Sequence, residues 1–222
     1  FSFRNNGGYG KTKEHVKWFL ESIGIENCGL FLVNQVHSDK IFILDDPNLT
    51  CDEAKKISAD ALLTQIHGKP IGIFTADCLP ILLYDPRLKV IGAIHAGRRG
   101  SEQNLLFKVV GEMARVYGCR PAELLAGFGP AIGGCCYEVD EDCVQPFKEL
   151  FSAEKGWFWP GPAGKYFLDL IAVNKMAGEK AGLLPENIFS MDHCTCCSTR
   201  NLYSYRREGE TGRILTTIML RP

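Results

Sequence analysis

The chain has 222 residues, 45% hydrophobic and 23% charged, a balance that supports a real hydrophobic core and excludes disorder. Its net charge of −1 is spread without a Lys/Arg cluster, which excludes the electrostatic footprint of a nucleic-acid binder or a membrane-surface protein. No apolar run approaches the about 20 residues of a membrane span.

In chain order, the opening FSFRNNGGYG reads as a strand and a Gly-rich turn, not as a targeting segment. Residues 12–23 place Val16, Phe19, Leu20 and Ile23 on one face, with Gly24 as stop signal, and predict a helix. Short β-rich runs follow at 29–36, 40–44, 59–64, 70–75, 79–84 and 89–94, separated by turns such as Asp45-Asp46-Pro47 and Asp85-Pro86. Ser101 is placed to cap a long helix to Tyr117, with Leu105, Leu106, Val109, Val110, Met113 and Val116 as its apolar stripe and Gly118 as its end. Pro121 leads into a strand at 124–128, and 129–136 is too rich in glycine to be regular. A helix near 141–151, a Trp/Gly/Pro-rich loop at 156–164 and a helix capped by Asp169 to Ala181 come next, then strands near 188–191, 202–206 and 213–219. Strands outnumber helices and many are hairpin-spaced. The expectation is one domain over 1–222, of α/β (α+β) class with mixed sheets.

Ten cysteines are many for this length, yet Cys135-Cys136 are adjacent, a spacing that fits disulfide geometry poorly. Mostly free thiols in a reducing cytoplasm are expected, with one bridge among the C-terminal cysteines as the competing reading. Of the five histidines, His15 reads as a helix-surface residue, His67 as a turn residue and His193 as a packed loop residue. His37 and His95 differ, because each ends a hydrophobic strand (FLVNQVH and VIGAIH), and Cys78 follows the strand IGIFT in the same way. Side chains at strand ends are held rigidly and face loop-lined clefts. The spacing carries no local signature such as CxxC, so two readings stand at this point: one converged zinc site, or three unrelated core or loop residues.

The segments NQVHSDKI (34–41), ADALLT (59–64), TADCLPILLYD (75–85), IGAIHAGRRG (91–100), GPAIGGCCYEV (129–139) and YSYRREGETGR (203–213) resemble, in order, the signatures of the laccase-like multicopper polyphenol oxidase family of the YfiH type. FSFRNNGG is similar to that family's N-terminal Arg-x-x-Gly-Gly turn. The resemblance implies a four-layer α/β/β/α fold shared with toxin deamidases, and His37, Cys78 and His95 as metal ligands, with Arg4 as an active-site residue. It implies phosphorolysis of adenosine, inosine, guanosine and methylthioadenosine, and hydrolytic deamination of adenosine. Two departures bear on substrate preference: Arg98 where the family commonly has Trp, and Cys196-Cys197 after the Cys194-Thr195 pair.

Three ligands with an open fourth position suit a catalytic zinc, whose bound water has its pKa lowered toward roughly 7; copper is a possible substitute, being the stronger binder. Asp77 is a candidate proton shuttle, and a carboxylate that merely bonds the turn backbone is an equal reading of it. Arg98 and Arg99, at a helix start, are candidates for a phosphate clamp that Arg4 would complete. Gly133 and Gly134 offer close backbone approach and Tyr137 a stacking ring, while Cys135 and Cys136 read equally as packed thiols or participants. A true multicopper oxidase needs more histidines than five. The residues are also compatible with a metal-free Cys–His hydrolase, with Cys78 as nucleophile and His95 as base, or with a thiol redox or metal-storage protein built on Cys194, Cys196 and Cys197.

Overall fold

Runs such as VIGAIHA, apolar at almost every position, demand cover on both faces of a sheet. The computed structural model, which describes residues 13–25, 29–151, 156–198 and 202–221, supplies that cover. Its elements in order are α1 (Lys13–Ser22), β1 (Ile41–Ile43), α2 (Cys51–Ala54), β2 (Ala61–Thr64), β3 (Ile71–Thr75), β4 (Leu79–Asp85), β5 (Val90–Ala96), α3 (Arg98–Glu102) and α4 (Leu105–Tyr117). Then follow β6 (Leu125–Phe128), β7 (Glu138–Val139), α5 (Glu141–Leu150), β8 (Phe158–Pro160), β9 (Tyr166–Leu168), α6 (Leu170–Lys180), β10 (Ile188–Ser190), α7 (Tyr205–Glu208) and β11 (Ile214–Ile218).

The central sheet has the order β1-β2-β5-β4-β6-β10. Its edge pairs β1–β2 and β6–β10 are parallel and the inner pairs antiparallel, so the sheet is mixed. One face (Leu63, Ile81, Leu83, Ile94) packs on Leu106, Val109, Val110 and Met113 of α4 and Ile171 of α6. The other face (Leu62, Ile91, Ala93) packs on Ile71 and Ile73 of β3, which pairs antiparallel with β11. The outer side of that two-stranded sheet, with Phe74 and Leu215, is covered by Val16, Phe19 and Leu20 of α1. Helices, sheet, sheet and helix thus stack in the expected α/β/β/α order. A small sheet β7-β9-β8 lies beside α5 and encloses a separate cluster around Trp157 and Phe147.

Several local expectations are corrected. The run 29–36 makes only isolated bridges at Phe31 and Asn34; the Gln35 side chain replaces the ladder, bonding the Phe74 carbonyl and N–H, both at 2.8 Å. The long helix is two pieces, because Asn104 is left-handed at φ 62°. Ser101 is therefore not a cap: it lies buried in α3 and accepts from Asn174 Nδ2 at 2.8 Å, while Gly97 takes the N-cap position. Val116 is 39% exposed, off the buried stripe of α4. Residues 202–206 are not a strand, since Ser204 caps α7 by accepting from the Arg207 N–H at 3.2 Å. The opening strand and turn, and Arg4 with them, lie outside the described residues. No helix among the described residues is long and apolar enough to cross a membrane.

Candidate metal centre and cleft

His37, Cys78 and His95 come from three separate segments, and their donor atoms lie within 4.8 Å of one another. His95 is in β5 and only 3% exposed. Cys78 sits in the β3–β4 turn, aimed by Asp77 at φ 90°, and His37 is itself left-handed at φ 59°. Such values are uncommon for residues with a Cβ and occur where surrounding contacts over-determine the backbone. Cys78 Sγ is 3.8 Å from His37 Nε2, and the two imidazoles meet edge-on with centroids 4.7 Å apart. Gly97 makes this approach possible, because a Cβ there would stand 3.0 Å from Cys78 Sγ and 3.2 Å from His37 Cδ2.

Asp60, immediately before β2, holds the assembly. Its fully buried carboxylate accepts from the backbone N–H groups of Val36, His37 and Ser38 at 3.3, 3.0 and 2.6 Å, and from the Ser38 hydroxyl at 2.8 Å. It also meets His95 Nδ1 at 2.8 Å, so a proton is held on Nδ1 and Nε2 is the ring nitrogen that becomes a metal donor when its own proton leaves. One carboxylate therefore fixes both the left-handed turn at His37 and the tautomer of His95. Burial opposes its charge, but the bonds from His95 and Ser38 outweigh burial and bring the carboxyl down to about 2. No motif flagged this residue individually; the available signal was an acid heading the wholly apolar run ALLT, since a buried charge needs several partners.

The donor set fits a metal. A tetrahedral zinc with Zn–S and Zn–N bonds of about 2.3 and 2.0 Å puts S and N about 3.5 Å apart, close to the 3.8 Å seen between Cys78 and His37. Burial resists the Cys78 thiolate, yet bonds to His37 and His95 overcome it and lower the thiol from 9.0 to about 6. Burial likewise resists the charged His95, but Asp60 and Cys78 raise it to about 9. A lowered thiol is ionised above its pKa. In metal-stripped protein, Cys78 alkylation by iodoacetamide, followed by peptide mass mapping, should therefore rise with a midpoint near pH 6, and zinc should protect it. A midpoint near 9 would show that the histidines do not act on the thiol.

The three donors open onto a cleft of about 640 Å³ that is also lined by Asp77, Ile132, Tyr137, Tyr205, Arg206 and Arg213. Of the sequence candidates, His37, Cys78, His95, Asp77 and Tyr137 thus meet in one place. Asp77 has both carboxylate oxygens engaged, by the Thr195 hydroxyl and the Arg206 N–H, each at 2.6 Å. Arg98 and Arg99 are not among the lining residues: Arg98 pairs with Glu102 on α3, and Arg99 is exposed. Gly133 donates its N–H to Cys194 Sγ at 3.3 Å, and Gly134 lies under the Trp159 ring. Neither glycine lines the cleft. The arginines that do so are Arg206, whose guanidinium lies 5.2 Å over the Tyr137 ring and donates to the Glu138 carbonyl at 3.0 Å, and Arg213, whose Nη1 donates to the carbonyls of Thr211 and Gly212 at 2.7 and 2.9 Å. Both fall in the segment YSYRREGETGR, where charge alone does not separate a cleft arginine from a solvated one.

A family model described as multi-copper polyphenol oxidoreductase laccase matches residues 3–221. The chain is 34% identical over 202 residues to adenosine deaminase RL5 of an unknown prokaryotic organism, covering 88% of this chain and 77% of that protein. It is 30% identical over 223 residues to a purine nucleoside phosphorylase of Haemophilus influenzae, covering 98% and 86%. Among solved structures, YfiH of Bacillus licheniformis superposes with a TM-score of 0.88 at 29% identity, covering 94% of this chain and 80% of that one. YlmD of Geobacillus stearothermophilus gives a TM-score of 0.88 at 26% identity, covering 100% and 89%.

Proposed function

The chain belongs to the multi-copper polyphenol oxidoreductase laccase family, and from that premise we propose that it is a zinc-dependent purine nucleoside phosphorylase that also deaminates adenosine. The observation that carries this reading is the His37–Cys78–His95 donor set at a cleft whose lining includes Arg206 and Arg213. The names of the relatives, an adenosine deaminase and a purine nucleoside phosphorylase, agree with it. Multicopper oxidation does not fit, because five histidines, two of them in the cleft, cannot build a blue-copper site and a trinuclear cluster.

Held by the three donors, zinc supplies a Lewis acid that makes water a nucleophile near neutral pH; copper competes for the same donors. Asp60 keeps the proton of His95 on Nδ1 and so presents Nε2 to the cleft. Tyr137 and Tyr205 offer ring faces to the purine. Phosphate falls to Arg206 and Arg213 rather than to Arg98 and Arg99, because paired N–H donors must reach the ribose from the cleft wall. Asp77 acts here by position, its two oxygens anchoring the Thr195 hydroxyl and the Arg206 N–H beside Cys78. Thiol donors need a reducing compartment, so the cytoplasm is the proposed location.

Incubation of the purified protein with adenosine, with and without phosphate, tests the reading by its products. Adenine and ribose 1-phosphate should form only with phosphate, and inosine in either case. Formation of neither, with oxidation of a polyphenol instead, would overturn it. Replacing Arg206 or Arg213 with Ala should raise KM for phosphate about 10- to 100-fold, the worth of a charge-assisted hydrogen bond, with deamination changed only a few-fold. Equal losses in both reactions would show that these arginines do not serve phosphate.

A further inference from the structure

A second cluster of potential ligands stands apart from the cleft donors. Cys135 and Cys136 lie in the loop between β6 and β7, and Cys194 and Cys197 in the segment between β10 and α7. All four Sγ atoms lie within 4.8 Å of one another, and Cys135 and Cys197 approach to 3.5 Å. Four thiolates around a tetrahedral zinc sit about 3.8 Å apart, given Zn–S bonds of about 2.3 Å. A single disulfide would need only two of these sulfurs together. Cys136 and Cys194 pack against the cluster around Trp157 and Phe147, but Cys135 and Cys197 are exposed, so apolar packing does not account for the gathering of all four.

The backbone around the quartet is built to hold it. Cys136 and Tyr137 donate their N–H groups to the Gly133 carbonyl at 2.9 and 3.0 Å, which closes one turn. Ser198 donates to the Cys194 carbonyl at 3.1 Å and closes the other. The two turns are joined by the Ala131–Cys194 bridge, with the Thr195 N–H on the Ala131 carbonyl at 2.9 Å. Arg207 clamps the second turn from outside, donating to the carbonyls of Thr195 and Cys196 at 2.9 and 2.8 Å. The Gly133 N–H points at Cys194 Sγ at 3.3 Å, the kind of outer bond that orients and stabilises a ligating sulfur. Burial resists ionisation of Cys194, but N–H groups of Cys197, Gly133 and Cys196 overcome it and bring that thiol down to about 7. Burial and the neighbouring thiols push Cys135 up to about 11.

We propose that Cys135, Cys136, Cys194 and Cys197 form a second metal site, closed and structural, that holds one zinc ion through four thiolates. Four ligands leave no position for water, which separates its role from that of the three-donor centre. Binding exchanges the thiol protons, released to solvent, for the ion, so affinity rises with pH. The site ties the loop bearing Ile132 and Tyr137 to the turn bearing Thr195, whose hydroxyl holds Asp77 beside Cys78. It is thereby a clasp on the cleft wall.

Metal content and cobalt spectra of the whole chain, purified under reducing conditions, test this independently of any activity. Native mass spectrometry should find two zinc ions per chain in the wild type, one in Cys78→Ala and one in the double variant Cys135→Ser/Cys197→Ser. Cobalt(II) added to metal-stripped Cys78→Ala should give the d–d and sulfur-to-metal bands of a four-thiolate site. That readout does not require the double variant to fold. Absence of those bands in Cys78→Ala, or an unchanged metal count in a folded double variant, would overturn the proposal. So would a wild type that is two hydrogens lighter, with the Cys135 and Cys197 peptides joined. Loss of metal from the cleft alone in Cys78→Ala leaves this site intact, so the two assignments fail separately.

Discussion

Replacing Asp60 with Ala is expected to destabilise the protein by about 3–5 kcal/mol, the cost of removing one partner from a buried ion pair. The variant leaves His95 Nδ1 and the N–H groups of Val36, His37 and Ser38 without their acceptor, and releases the left-handed turn that aims His37. Urea denaturation of the metal-stripped proteins measures the difference directly. The pH dependence has a definite sign. The carboxyl titrates at about 2 in the fold against 3.8 as its ordinary value, so its contribution is fully present above about pH 4 and is lost as pH falls toward 2. The gap between wild type and variant should therefore narrow in acid. A loss below about 1 kcal/mol at pH 7 would mean that Asp60 does not hold the site together.

Cys78→Ala should lower both phosphorolysis and deamination by about a thousandfold or more, beyond the roughly 10- to 100-fold that follows loss of an outer partner of a metal ligand. The same variant should lose the cleft metal while keeping the fold, which circular dichroism and metal analysis check together. The thiolate beside a charged His95 also favours a second reading, a metal-free Cys–His hydrolase with Cys78 as nucleophile. Chelation separates the two. Activity that disappears on stripping and returns with zinc supports the metal centre. Full activity in stripped protein would assign the chemistry to the thiol instead.

Much of this is legible in the sequence, for physical reasons that differ by element. The runs ALLT, IGIFT, LPILLYD and VIGAIHA announce their strands because both sheet faces are buried, and Asp169 announces α6 because its carboxylate meets the N–H groups of Ile171 and Ala172. The candidate metal donors become legible through the motifs around them; their spacing alone is silent, because they meet only once β3, β4 and β5 are arranged. Tertiary contacts decide the remainder. Gln35 displaces a strand ladder, Asn104 breaks a helix that its apolar stripe would continue, and Asp77 helps to seat α7 by accepting the Arg206 N–H. Asp60 and Arg206 look like ordinary acid and base until the fold shows what surrounds them.

The order of the segments along the chain has a consequence for synthesis. Asp60, His37, Cys78 and His95 all lie upstream of residue 96, and β1, β2, β4 and β5, which frame them, are complete by then. Tyr137, Tyr205, Arg206 and Arg213, which wall the cleft, come later, and β3 waits for β11 as its antiparallel partner. On the ribosome the candidate donors thus emerge before the later part of the cleft wall. A chain halted before residue 203 would carry the three candidate donors and Tyr137 without Tyr205, Arg206 and Arg213. Assembly of the donor set and completion of the cleft wall are separated in time by the topology itself.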